Sequence, residues 1–391
     1  MPYAIIILFM IIGIDIRSLM SAQKTGVGEY TYELLRALFT NHPEHKYILF
    51  ANAYTKQSLD LPKYNPDQVD IVFTRIPNKV LNASLLLLQY PKLDTLLCKK
   101  TKGNIKKLDY FFSPNIGFCA LSATCKQVLT IHDLSFVLYT SCLTKKRQLW
   151  HYMLQPKKQC QRADIIITPS YNTKRDVEDV FGIKKEKVHV LYPGLSHIFY
   201  NTTRANTIQI KEKYHLPKKY ILFLGTIEPR KNILRLISAY TKSNIRKNGY
   251  ALLIAGSIGW KCKDVLQKIG NTKGVSYIDY IPEADKPGIY TNASLFVYPS
   301  LYEGFGFPVV EAMAMGVSVI TSNRSSLPEV VGDAAYLVNP NNEEEIALGI
   351  KQLLFSEELA QRGKEMGKKH AQKYSWNATA SQFLTYLKQQ I

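Results

Sequence analysis

The chain of 391 residues is 46% hydrophobic and 21% charged, a globular composition that excludes collagen-like, coiled-coil and low-complexity architectures and suits two domains of ordinary size. Its net charge of +19 implies an anionic partner or surface (lipid, nucleic acid or a phosphorylated small molecule) beside the plain reading of a Lys-rich solvated surface. Residues 1–215 hold most of the excess, 29 Lys and Arg against 16 Asp and Glu, but no basic patch with interleaved aromatics stands out, so nucleic acid is set aside as a partner.

From the N-terminus, Ala4 to Ile14 is almost wholly apolar, yet its about eleven residues fall short of the roughly 20 that a spanning helix needs. No basic region precedes the run and no small-residue cleavage site follows it, which argues against a signal peptide. The stretch MIIGIDIRSL from Met10 predicts a buried first strand ending in a polar turn, with residues 1–9 a short extension that leaves room for membrane contact. Further strand-like runs are YILFAN (47–52), YFFSP (110–114), QVLTIHD (127–133), DIIITPS (164–170) and KVHVLYPG (187–194), separated by helix-like stretches such as Gly28 to Thr40 and Lys145 to Cys160. Unbroken Ile, Val and Leu runs suit strands covered on both faces, and their alternation with helices predicts a parallel α/β sheet. Residues 195–217 are polar and interrupt the pattern. A second series then begins with YILFLG (220–225) and continues through YALLIAG, VSYIDY, ASLFVYPS, VSVITSN and AAYLVNP. The fold class is therefore α/β, with two doubly wound, Rossmann-like domains over 1–200 and 215–375. The helix-like residues 376–391 can pack back on either, the N-terminal domain in particular. The six cysteines show no CxxC or Cys/His spacing and read as reduced thiols of a cytoplasmic protein, with no metal site.

Ligands of open α/β sheets bind at the carboxyl ends of strands, so the polar residues that follow each strand carry the functional question. Thr25-Gly26-Val27-Gly28 precedes a helix and would let a ligand approach the backbone closely, although a plain tight turn reads equally well. His132-Asp133 ends a strand, where His132 would donate to a substrate hydroxyl or serve as a core histidine. Gly225 to Asn232 (GTIEPRKN) places Arg230 and Lys231 in a strand-end turn at a helix start, where adjacent cations are unfavourable unless an anion visits. They suit a diphosphate and would offset charge on a leaving group. In Glu303 to Glu311 (EGFGFPVVE), the loop Gly304-Phe305-Gly306 would present backbone N–H groups at a helix N-terminus, Pro308 suits the first turn, and Glu303 and Glu311 flank the loop as acceptors for sugar and ribose hydroxyls. An exposed Glu and a dipole-pairing Glu are the plainer reading of that pair.

This last segment resembles the signature of the retaining glycosyltransferase family 4, of the GT-B type, in which two Glu separated by seven residues enclose a GFG-like centre. GVGEY, TIHDLSF, TPSYNTKRDV, VLYPG, GTIEPRKN, LLIAGSIGW and SLPEVVGDAAYLVNP are similar to family segments and stand in family order. The resemblance implies two domains facing a cleft. Gly26 and Gly28 would touch donor phosphate or acceptor, and His132 would lie near the transferred sugar. Arg230 and Lys231 would hold the diphosphate. Glu303, Gly304, Phe305 and Gly306 would hold the sugar, Glu311 the ribose, and Ile281 with its neighbours Tyr280 and Pro282 the base. His132, Arg230, Lys231 and Glu303 would form the catalytic group, without metal or other cofactor. One departure is Gly225-Thr226, where many members carry Gly-Arg, so that Arg230 would supply the missing charge. GTIEPRKN resembles the version in bacterial mannosyltransferases of surface-polysaccharide assembly, which implies GDP-mannose as donor, a UDP-sugar being the alternative. The implied acceptor is a glycan or lipid-linked glycan, and the basic N-terminal half suits a peripheral position at the inner face of an anionic membrane. A phosphorylase would need a pyridoxal-phosphate lysine motif that is not seen, and a silent binding protein on the same fold is the non-enzymatic alternative.

Overall fold

The computed structural model describes residues 9–20, 25–54, 59–103, 105–200 and 204–389, and the expected extension over residues 1–9 lies almost wholly outside them. Two all-parallel sheets organise the chain. The first contains β1 (Ile11–Asp15), β2 (Lys46–Asn52), β3 (Val69–Thr74), β4 (Tyr110–Ser113), β5 (Lys126–Thr130), β6 (Ile165–Thr168) and β7 (Val188–Val190), in the order β3-β2-β1-β4-β5-β6-β7. The second contains β8 (Tyr220–Leu224), β9 (Ala251–Ala255), β10 (Val275–Ile278), β11 (Leu295–Tyr298), β12 (Val319–Ser322) and β13 (Tyr336–Val338), in the order β10-β9-β8-β11-β12-β13. Central strands such as β4, β6, β8 and β11 are buried along their whole length, as expected of apolar runs covered by helices on both faces. The strand order reverses between β1 and β4 and again between β8 and β11, which makes a crevice at the carboxyl end of each sheet.

The structure adds β3 to the expected strands. Asp70 interrupts its apolar run and masks the pattern, but at this sheet edge the carboxylate pairs with Lys46 of β2 at 2.9 Å. The helix Gly26–Asn41 begins earlier than expected: Thr25 caps it, its Oγ1 accepting from the Gly28 N–H at 3.3 Å, so both glycines lie in the first turn instead of a preceding loop. The stretch from Lys145 to Cys160 divides into helices Lys145–Leu154 and Pro156–Arg162, because Pro156 offers no N–H and disfavours helical geometry at Gln155, which takes φ 48°.

Helix Trp376–Lys388 returns from the second sheet to the first. Trp376, Phe383, Leu384 and Leu387 are buried in the core of the first sheet, with Phe383 4.8 Å from the Phe112 ring of β4. The crossing is tight: a Cβ on Gly194 would lie 2.2 Å from the Trp376 backbone nitrogen. The Tyr110 and Tyr386 hydroxyls fix the helix further, donating to Leu387 O at 2.6 Å and Val190 O at 2.9 Å. Between the sheets, helix Arg204–Lys213 places Ile210 in the core of the second.

Candidate active site

A cleft of about 720 Å³ lies where the carboxyl ends of the two sheets meet. Gly26, His132, Arg230, Lys231, Ile281, Glu303, Gly304, Phe305, Gly306 and Glu311 all line it. Gly28 is buried one residue behind the lining, held by its bond to Thr25.

At the centre, sequence positions about seventy apart meet. Pro299 to Tyr302 carry the chain out of β11, and Pro229 to Lys231 form a single 3₁₀ turn shortly after β8. Glu303 Oε1 accepts from Lys231 Nζ at 2.6 Å and from Ser300 Oγ at 2.6 Å, while Oε2 accepts from Arg230 Nη1 at 2.8 Å. Arg230 Nη2 donates to Glu228 Oε1 at 2.7 Å, and Lys231 Nζ to the Tyr298 hydroxyl at 2.6 Å. The sequence reading gave the cations and Glu303 separate duties; the structure joins them in one alternating network, Glu228–Arg230–Glu303–Lys231. Its formal charges cancel. The guanidinium and the ammonium beside it hold the Glu303 carboxyl down at about 2 despite burial. Burial and the neighbouring Arg230 lower the Lys231 pKa, against the pull of Glu303. An arginine has five donors and a lysine three. Among the described residues, Arg230 makes three side-chain contacts, to Glu303, Glu228 and the Tyr302 carbonyl, and Lys231 two, to Glu303 and Tyr298, which leaves each cation with donors for an incoming oxygen.

The glycine loop presses on the opposite domain. A Cβ on Gly304 would lie 1.8 Å from the His132 carbonyl oxygen, and the Thr173 hydroxyl donates to Gly304 O at 3.3 Å. Gly306 has φ 104°, a value that favours glycine, and hands the chain to helix Phe307–Ala314 with Pro308 in its first turn. Serine hydroxyls from the loop after β12 hold this turn: Ser326 Oγ shares its one hydrogen between Glu303 O and Phe305 O, 2.9 and 3.1 Å away, and Ser325 Oγ accepts from the Glu303 N–H at 2.9 Å. Glu311, one turn into the helix, accepts from the Tyr290 hydroxyl at 2.7 Å and lies 4.0 Å from Lys286 Nζ. Burial raises its carboxyl above the usual range.

His132 is half-buried, with Nε2 2.8 Å from the Pro114 carbonyl and the Tyr30 ring edge-on at 4.9 Å. A carbonyl only accepts, so Nε2 carries the proton; burial lowers the pKa and leaves a neutral ring whose acceptor is Nδ1.

Polar contacts across the seam hold the halves together. Glu329 accepts from the Tyr171 and Asn172 N–H groups at 2.8 and 3.1 Å, at the N-terminus of helix Tyr171–Phe181. Tyr302 donates to Asp176 at 2.5 Å. On the opposite rim, Trp260 Nε1 donates to Cys142 O at 2.7 Å, and the Arg147 guanidinium lies 3.8 Å above the Trp260 ring. Tyr298, Ser300 and Lys286 were not singled out in the sequence. A strand-end Tyr or Ser and a loop Lys have no local pattern that separates them from packing or surface residues.

With this geometry in hand, comparison with known proteins identifies the chain. The family described as Glycosyltransferase Family 4 matches residues 24–197, and the one described as Glycosyl transferases group 1 matches residues 206–370. The O-antigen chain mannosyltransferase B of Escherichia coli is 29% identical over 93% of this chain and 96% of its own length. The serotype-specific mannosyltransferase WbdA of Escherichia coli is 25% identical over 94% of this chain, which spans about half of that longer protein (46%). Among solved structures, the sucrose-phosphate synthase from Thermosynechococcus elongatus shares the fold with a TM-score of 0.75 at 20% identity, over 97% of this chain and 98% of that one. Anabaena HepE, solved with UDP and glucose, shares it with a TM-score of 0.70 at 15% identity, over 97% and 99%. The chain belongs to the family 4 glycosyltransferases and has their two-domain GT-B fold, one family match falling on each of its two halves.

Proposed function

We propose that this chain is a retaining, metal-independent mannosyltransferase that moves mannose from GDP-mannose to a glycan or lipid-linked glycan acceptor. The network that joins Arg230 and Lys231 to Glu303 beside the glycine loop is the observation that carries this reading. The mannosyltransferases among the relatives support the choice of sugar. In this reading the unused donors of Arg230 and Lys231 take the diphosphate and offset the charge that develops on it as the glycosidic bond breaks. Glu303, held ionised by those cations, orients them and accepts from the sugar, together with the backbone of Gly304, Phe305 and Gly306. Glu311 accepts from the ribose, and Ile281 packs against the base. His132 faces the transferred sugar. The acceptor hydroxyl attacks from the face that the diphosphate leaves, and a donor phosphate oxygen takes its proton, so the anomeric configuration is kept. The basic N-terminal half supports a cytoplasmic position, peripheral at the inner face of an anionic membrane. No helix among the described residues is long and apolar enough to cross a membrane.

The test is a donor panel with purified protein, scored for transfer or hydrolysis. GDP-mannose is expected to turn over faster than UDP-glucose or UDP-galactose, and Lys231→Ala to lower that turnover by about 10²–10³. A preference for a UDP-sugar would overturn the donor, and a fully active Lys231→Ala the assigned chemistry. No turnover with any donor would favour a silent binding protein.

A further inference from the structure

Helix Lys145–Leu154 buries one of its ten residues, Leu154. Trp150 and Met153 pack against the first domain, but Leu149 and Tyr152 face outward, 58% and 78% exposed. With Val137 they flank a groove of about 840 Å³, within the roughly 300–1,000 Å³ of small-molecule sites, and Lys145, Lys157 and Lys158 rim it. Among the described residues, no carboxylate lines it. The charge pattern extends along the chain: residues 135–162 hold six Lys and Arg and no Asp or Glu. Apolar side chains beside three lysines, with neutral Thr140, Gln148, Gln155 and Gln161 as further polar lining, complement a molecule with an apolar chain and an anionic head, since either feature alone would leave the other unmatched.

The groove also borders the cleft. The rings of Phe136 and His151 stack at 4.6 Å and 9°, and both residues line the groove on one side and the cleft on the other. A ligand passing over this ring pair enters the reaction site from the acceptor's domain. We propose that the groove is the carrier site of the acceptor: it takes the apolar chain and phosphate head of an amphiphilic acceptor, whose sugar end crosses Phe136 and His151 into the cleft. The second half of this statement rests on the transferase reading above; binding of an anionic amphiphile does not.

Calorimetric titration with dodecyl phosphate, below its micelle concentration, tests the binding. Saturable binding is expected, with butyl phosphate and the neutral dodecyl glucoside each about tenfold weaker or more. Leu149→Asp with Tyr152→Asp, and separately Lys157→Glu with Lys158→Glu, are each expected to weaken dodecyl phosphate by about tenfold. All four side chains lie outside the nucleotide site, so a GDP titration on the same variants should be unchanged, and a circular dichroism spectrum and melting temperature like the parent's report that the first domain is folded. Failure of dodecyl phosphate to bind, or equal binding by the variants, overturns the proposal. So does binding to phosphatidylglycerol vesicles without binding of the monomeric amphiphile, which would make this face a bilayer contact. If GDP fails to bind the unaltered protein while the amphiphile binds, the donor reading fails and the groove stands.

Discussion

Glu303 is the residue through which the site answers to pH. Its carboxyl titrates at about 2 in the folded chain against an ordinary 4.5, because Arg230 and Lys231 prefer it ionised. The folded pKa is depressed, so the ion pairs add stability above pH 4.5, and that stability is lost as the pH falls toward 2. Glu303→Gln leaves the buried Lys231 and the half-buried Arg230 without their shared anion, at a cost of about 3–5 kcal/mol at neutral pH. Denaturant titrations of both proteins at pH 7 and pH 3 check the sign: the gap is expected to shrink in acid. A variant as stable as the parent at pH 7, or a gap that widens in acid, contradicts the network. The same variant frees cations for an anion, so a nucleoside diphosphate should raise its melting temperature more than it raises the parent's. In the sequence, Glu303 was readable as a member of a spaced carboxylate pair. Its partnership with Arg230 and Lys231 was not, because no local pattern links β8 to β11; only the sheet order makes those strands neighbours.

The strand-to-helix loops at the cleft place their side chains through the backbone, and Gly304 shows how little room that leaves. Its missing Cβ is the space that the His132 carbonyl occupies, so Gly304→Ala must push the glycine loop and the β5 end apart. Displacement of about 1 Å at such a seam is enough to lower turnover by about 10²-fold. The halves have separate cores, so the fold itself should survive. The expected outcome is a large fall in kcat with a circular dichroism spectrum like the parent's, and GDP affinity changed much less than kcat. Undiminished kcat in Gly304→Ala would show that the cleft works in a more open arrangement. Element by element, the sequence was most legible where burial was complete. The run Ile165-Ile166-Ile167 of β6 is apolar throughout because both faces are covered. It was least legible where a polar residue is tolerated for a local reason, as with Asp70 at the sheet edge. Turn chemistry misled it as well, since Thr25 caps a helix that takes in the glycines, and Pro156 cuts a helix that reads as continuous.

At the scale of the whole molecule, the two sheets keep separate apolar cores, and the seam between them is largely hydrogen-bonded, through Glu329, Tyr302 and Thr173. Such polar contacts allow relative domain motion, as closure over a donor requires. The last helix opposes complete separation. It leaves the second domain, passes against Gly194, and fills the core of the first with Trp376, Phe383, Leu384 and Leu387. Its amphipathic pattern made it a helix in the sequence, but which domain it covers depends on a face of β4 and on the helix Gly26–Asn41 that no local pattern describes. The first domain's core is therefore completed by residues from the far end of the chain. Phe383→Ala should cost about 3–5 kcal/mol, the range for a fully buried Phe, and the loss belongs to the first domain. Scanning calorimetry should then show a transition that moves to lower temperature and separates from that of the second domain. GDP should raise the temperature of the second transition alone, because the Arg230, Lys231, Glu303 and Glu311 positions all belong to that domain. A single transition that falls as a unit would mean instead that the seam couples the two cores more strongly than its polar contacts suggest.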